Sequence, residues 1–140
     1  MGKKRIPPDT PCFHYHNENP FGKITGDCMH RAIALATGID WKVTAVATAL
    51  WEAKTGLRPC NGNEIDSLLQ EFGPWIKYPM PKHYDGTRYT IAELCKELGK
   101  TKHPVIVSCA RHLTCIKDGK VWDIWDCTRK GVCNYWMLLK

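Results

Sequence analysis

Between Cys28 and Ala36 the apolar residues Met29, Ala32, Ile33, Leu35 and Ala36 recur at helical spacing, which predicts an amphipathic helix. Gly38 follows as a C-terminal stop. Thr25 or Asp27 is placed to cap the start, so Cys28 falls in the first turn. A second helix is predicted after Asp40, carried by Trp41, Val43, Val46, Ala47 and Leu50 and ending near Gly56. A third follows Asn61 or Asn63, uses Ile65, Leu68 and Leu69, and stops at Gly73. Thr90 with Glu93 three residues on is a capping-box signature for a short helix through Leu98, closed by Gly99.

The pattern then changes period. Val105-Ile106-Val107-Ser108 is a β-branched run, and the segments 112–117 and 120–125 flank Asp118-Gly119, a strong two-residue hairpin signal. A last strand is expected over 132–138. Residues 1–26, rich in Pro, Asn, Gly and charge, read as an irregular lead-in. Residues 73–86, with three prolines and three aromatics, read as an ordered surface loop. Helices first and antiparallel strands afterwards indicate one α+β domain over 1–140, with 1–16 as a flexible basic lead-in.

A two-residue turn at Asp118-Gly119 fixes the register. Lys117 faces Lys120, Ile116 faces Val121, and further along Thr114 faces Asp123 and His112 faces Trp125. His112, Thr114, Asp123 and Trp125 then share one face of the ribbon, and Asp123 becomes a diagonal neighbour of His112. Asp126 has the opposite parity unless a bulge brings it round, in which case the two aspartates exchange roles.

Composition narrows the class. The chain has 140 residues, the size of a single domain, and enough apolar content for a core. No stretch approaches the roughly 18–20 apolar residues of a membrane span, and no apolar segment follows the basic start, so a cytoplasmic protein is expected. Gly2 raises N-myristoylation, but Ile6 stands where that motif wants Ser or Thr. The formal charge of +6 comes from short scattered groups (Lys3-Lys4-Arg5, 100–102, Arg129-Lys130) with no nucleic-acid-binding motif. A solvated surface is the expectation, and nucleic acid a weaker partner.

Eight cysteines without a secretory context read as free thiols rather than a disulfide framework. There is no Cys-x-x-Cys pair, and His14-x-His16 near Cys12 lacks a clear fourth ligand, so no metal and no cofactor are expected. Most of the thiols are expected to pack as small buried hydrophobes. Cys28 differs, because a helix N-terminus and a nearby imidazolium both favour the thiolate. His112 is the candidate base, and Asp123 the candidate to hold its ring.

The segment from Gly26 through Cys28 to Gly38 with Trp41, its approach Asn17-Glu18-Asn19-Pro20, and the pair Arg111-His112-Leu113-Thr114 with 118–126 together resemble the nucleophile helix and histidine hairpin of small papain-like proteins of bacteria and their phages. The resemblance covers about half the chain. It implies a helix bearing Cys28 packed, with further helices, on a C-terminal antiparallel sheet bearing His112. That family commonly has a glutamine six residues before the cysteine to hold the oxyanion, where this chain has Gly22. Asn19 or Asn17 is the candidate replacement, beside the Cys28 N–H. Trp125 and Asp126 are candidates for the substrate groove, and the loop over 73–89 for its cover.

The expected function is a monomeric thiol hydrolase cutting a peptide, isopeptide or other amide bond through an acyl-enzyme. The alternatives are an acyl transferase or deamidase using the same residues, and a non-catalytic phage-type binding module on the same fold. Which substrate is cut is not legible in the residues.

Overall fold

A computed structural model describes residues 6–139 of the chain. The basic cluster Lys3-Lys4-Arg5 and the Gly2 myristoylation reading lie outside the described residues. Four α-helices, α1 (Cys28–Thr37), α2 (Trp41–Thr55), α3 (Gly62–Leu69) and α4 (Ile91–Leu98), accompany six strands. The strands are β1 (Phe13–Tyr15), β2 (Trp75–Tyr78), β3 (Val105–Cys109), β4 (His112–Lys117), β5 (Lys120–Asp123) and β6 (Asn134–Leu138). They form one sheet in the order β1-β5-β4-β3-β6-β2. The class is α+β. No single helix among the described residues is long and apolar enough to cross a membrane.

The local signals act where the sequence puts them. Asp118 (φ 53°) and Gly119 (φ 76°) both take the left-handed conformation of a type I′ turn, and β4 meets β5 with Lys117 opposite Lys120 and Ile116 opposite Val121. Thr90 accepts from the Glu93 N–H while the Glu93 side chain accepts from the Thr90 N–H, closing the capping box at α4. Gly38 ends α1 at φ 75° with its N–H on the Ala34 carbonyl.

Strand β3 lies between β4 and β6, buried along its whole length, and its alternating side chains divide the core. Ile106 joins Leu113, Cys115 and Trp136 beneath α1 and α3. Val105 and Val107 face the other way, with Phe13, Ile116, Val121 and the inner side of α4, Ile91, Leu94 and Cys95. Helices therefore cover both sides of the sheet.

Three expectations are corrected. The sheet is mixed and not confined to the C-terminal third: β1, inside the expected irregular lead-in, pairs parallel with β5 (Phe13 opposite Val121). Three residues are too few for a readable period, but fully buried Phe13 anchors them. Strand β2, inside the expected loop, is an edge strand pairing antiparallel with β6. Its prolines, Pro74 and Pro79, stand just outside it and cost no ladder hydrogen bond.

The third correction concerns α2. Its ends are as expected, but the expected core positions Val43, Val46 and Leu50 are exposed, and the helix buries Thr44, Thr48 and Trp51 instead. The threonine hydroxyls donate to carbonyls one turn back, Thr44 to Asp40 and Thr48 to Thr44, so neither polar group is stranded. Only the methyls then need an apolar neighbour.

This orientation has a measurable consequence. In urea denaturation, Ile106→Ala should cost about 2–5 kcal/mol, as a buried large-to-small change does. Val46→Ala should stay within about 0.5 kcal/mol, as an exposed change does. Comparable losses in both variants would refute the threonine-inward packing of α2.

Candidate active site

Helix α1 begins beside the first residue of β4. Asp27 occupies its N-cap position, but no side chain caps the first turn. The first intrahelical bond closes only at the Arg31 N–H, on the Asp27 carbonyl, so the N–H groups of Cys28, Met29 and His30 lie before the hydrogen-bonded ladder begins. Cys28 thus sits at the positive end of the helix, partly buried against the core.

The Asp27 side chain turns inward instead of capping. Its Oδ1 accepts from Arg31 Nε at 2.9 Å, and its Oδ2 accepts from Asn19 Nδ2 at 3.0 Å and Trp41 Nε1 at 3.1 Å. Arg31, one turn into α1 and 6% exposed, carries its other arm to Asp123 Oδ1. Asp123, 2% exposed at the end of β5, also accepts from Thr114 Oγ1 (2.7 Å), its neighbour's Ile124 N–H (2.7 Å) and His112 Nε2 (2.6 Å). Nε2 being held, Nδ1 is the ring nitrogen left for the Cys28 thiol. The Leu113 N–H faces that sulfur and favours its charged form. The β4–β5 ladder pairs only the two residue couples beside the turn, and farther out the strands diverge. The opening admits Arg31 and leaves the Leu113 N–H to Cys28.

The electrostatics follow from the charge count. Two buried carboxylates share one guanidinium, and the remaining negative charge selects the charged imidazole. Burial alone would depress His112, but the hydrogen bonds to Asp123 and Cys28 outweigh it and raise the ring from 6.5 to about 9. Burial likewise raises the Cys28 thiol, yet the His112 hydrogen bond, the Leu113 N–H and the His112 and Arg31 charges bring it below its ordinary value. Asp27 and Asp123 lie below the ordinary carboxyl value, because Arg31 for the first and His112 with Arg31 for the second overcome burial.

Cys28 and His112 open onto a cleft of about 780 Å³, walled by Met29 and His30 of α1, Thr48 and Glu52 of α2, the segment 58–62, and the β3–β4 turn at Ala110-Arg111. Trp125 packs edge-on against the His112 ring, centroids 4.8 Å apart. The structure therefore brings Cys28, His112 and Asp123 together, while Trp125, expected in the substrate groove, lies against the His112 ring and does not line the cleft.

Other candidates lie elsewhere. Asn19 is buried and its Nδ2 is on Asp27, while the Nδ2 of Asn17 is on the Lys23 carbonyl. Neither points an amide at the site, because both fold the approach loop onto itself: Asn17 Oδ1 accepts from the Asn19 N–H and Asn19 Oδ1 from the Phe21 N–H. Asp126 is not at His112; it accepts from the N–H and hydroxyl of Thr128 in a local turn. No residue of 73–89 lines the cleft.

Sequence reasoning assigned no place in the site to Arg31 or the Leu113 N–H, and gave Asp27 only as a candidate cap of α1. The Asp27–Arg31 spacing of four was the available signal. One atom each of His112, Asp123 and Cys127 lie within 4.8 Å of one another, a spacing compatible with a metal ion. In this structure the His112 and Asp123 atoms are joined to each other, to Arg31 and to Thr114, the arrangement of an ion-pair network. Comparison with family models, curated proteins and solved structures found no match to this chain.

Removing Arg31 isolates two buried carboxylates, so Arg31→Met should cost about 3–5 kcal/mol by urea denaturation. The pH dependence has a defined sign. Both aspartates are depressed in the folded state, so their contribution is full above the ordinary 3.8 and is lost as pH falls through their lower folded values. Without Arg31 those folded values rise, and acid unfolding should begin at higher pH. Unchanged stability and acid midpoint in Arg31→Met would show that the network does not hold these charges.

Proposed function

We propose that this chain is a papain-like thiol hydrolase that cleaves a peptide, isopeptide or other amide bond through an acyl-enzyme. The observation that carries the reading is Cys28 beside the hydrogen-bonded pair His112–Asp123 at the mouth of a substrate-sized cleft, with the cysteine at an uncapped helix N-terminus. Two features favour a thiolate–imidazolium pair there: the helix end, and the mutual stabilisation by which Cys28 raises the histidine and the histidine lowers the thiol.

The chemistry follows from those positions. The Cys28 sulfur attacks the substrate carbonyl carbon, and the carbonyl oxygen takes the negative charge, within reach of the Cys28 N–H and the positive end of α1. As the tetrahedral intermediate collapses, the C–N bond breaks and His112 gives its proton to the leaving amine. A thioester to Cys28 remains. His112, now neutral, takes a proton from water as it adds to the thioester, and the acid leaves with the Cys28 sulfur released as thiolate, which restores the ion pair. Asp123 keeps the ring oriented throughout, and Arg31 keeps Asp123 ionised. The walls of the cleft supply Glu52 on α2 and Arg58 and Arg111 at the rim as polar contacts for the substrate.

Iodoacetamide labelling mapped to each cysteine tests the premise. Cys60 is exposed, but Glu64 hydrogen-bonds its thiol and raises its pKa. At pH 6, Cys28 should therefore label ahead of Cys60 despite being less exposed, and His112→Ala should reverse the order. Equal or slower labelling of Cys28 in the wild type would remove the nucleophile from the proposal. Amide turnover on a panel of peptide and isopeptide substrates should fall as pH rises through about 9, where His112 loses its proton. It should drop about 10²–10⁴-fold in His112→Ala, the usual weight of a general acid–base group. Cys28→Ser should abolish the thioester seen by intact-mass measurement.

A further inference from the structure

Two more cysteines stand behind the His112–Asp123 pair. Cys109 ends β3 directly across from His112, and the β3–β4 turn holds that pairing. Cys127 follows β5 and is held by a local turn, in which the Lys130 N–H bonds to its carbonyl and Asp126 fixes Thr128. Their side chains belong to the cluster on the α4 side of the sheet, and both are free thiols. The two thiols are close enough to act on each other's charge, and Thr114, the threonine that donates to Asp123, lies beside Cys127 as well. The Cys127 sulfur lies within 4.8 Å of the ligating atoms of His112 and Asp123.

The pair is asymmetric. Cys109 is among the residues lining the cleft and is 5% exposed. Cys127 does not line it and is 1% exposed. We propose that Cys109 and Cys127 form a redox-modification site, at which hydrogen peroxide entering the cleft oxidises Cys109 and Cys127 resolves the product as a disulfide. The proposal rests on the placement of the two thiols and not on the hydrolase reading.

The step balances as follows. The Cys109 sulfur attacks one peroxide oxygen, the O–O bond breaks, and the released hydroxide takes a proton to become water. Cys109 is left as a sulfenic acid. The Cys127 sulfur gives up its proton and displaces the sulfenic oxygen, forming the S–S bond and releasing a second water. Two thiols lose one electron each and the peroxide gains two.

The chemistry around Cys109 favours the first step. The neighbouring Cys127 thiol, followed by the nearby His112 and Lys130 charges, outweighs burial and the Asp123 charge and holds the Cys109 thiol below its ordinary value. Other buried cysteines differ sharply. Burial pushes Cys95 up to about 12 and Cys115 higher still, and neither lines the cleft. Cys127 is itself raised, chiefly by its neighbour Cys109 and by burial.

The test uses the full chain carrying Cys28→Ser, so that the proposed nucleophile cannot compete for oxidant. The protein is titrated with hydrogen peroxide, alkylated under denaturing conditions and mapped without reductant. The expected result is loss of two thiols and of the mass of two hydrogens, in one peptide pair joining Cys109 to Cys127, restored by dithiothreitol. Adding Cys127→Ser should stop the reaction at a sulfenic acid on Cys109, trapped by dimedone. Adding Cys109→Ser should leave Cys127 reduced at the same dose. A disulfide joining other cysteines would overturn the proposal. So would persistence of both thiols at doses that oxidise exposed Cys60, or oxidation of Cys127 without Cys109. Any of these leaves the Cys28 reading untouched.

Discussion

Arg31 is the constraint on which this structure turns. It reaches Asp27 within its own helix and Asp123 at the far end of the β-hairpin, and all three are buried. A guanidinium can do this because its planar fork offers donors in two directions, which an ammonium does not. Charges removed from water need partners at close range, so the pairing also fixes where α1 stands against β4 and β5. The register of helix against sheet, which sets Cys28 beside His112, is thereby tied to an electrostatic requirement as well as to the packing of Ala32, Ile33 and Ala36.

The same requirement sets the protonation state of the site. Asp27, Arg31, Asp123 and His112 alternate in sign along one hydrogen-bonded series. The positive charge on His112 completes the neutralisation of two carboxylates, which is why the ring stays protonated well above its ordinary value. A proton held there lowers the Cys28 thiol in turn. The divergence of β5 from β4 belongs to this arrangement. A regular ladder would close the space Arg31 enters and would use the Leu113 N–H within the sheet.

A cost of the arrangement is visible at the helix start. Asp27 stands where an N-cap side chain would ordinarily accept from the first turn, yet it faces Arg31, Asn19 and Trp41. The N–H groups of that turn are left uncapped at the lip of the cleft, where stability is traded for hydrogen-bond donors beside the cysteine. Asn19, buried and fully used, supports Asp27 from the approach loop.

How much of this was legible in the residues differs by scale. Helix limits, the capping box at Thr90 and Glu93, the I′ turn at Asp118-Gly119 and the hairpin register beside it are short-range matters, and the sequence by itself determined them. That register alone put His112, Thr114 and Asp123 on one face of the ribbon, because side-chain parity is set by the turn. Strands β1 and β2 were not legible, since three or four residues carry no period and are strands only by virtue of the neighbours they pair with. The inward face of α2 was not legible either, because threonines whose hydroxyls bond within the helix can be buried as readily as valines. Where Asn17, Asn19, Asp27 and Asp126 direct their side chains was decided only by the tertiary structure. Each carries short polar atoms that accept or donate in several directions, and which partner comes within 3 Å depends on the long-range packing of helix against sheet.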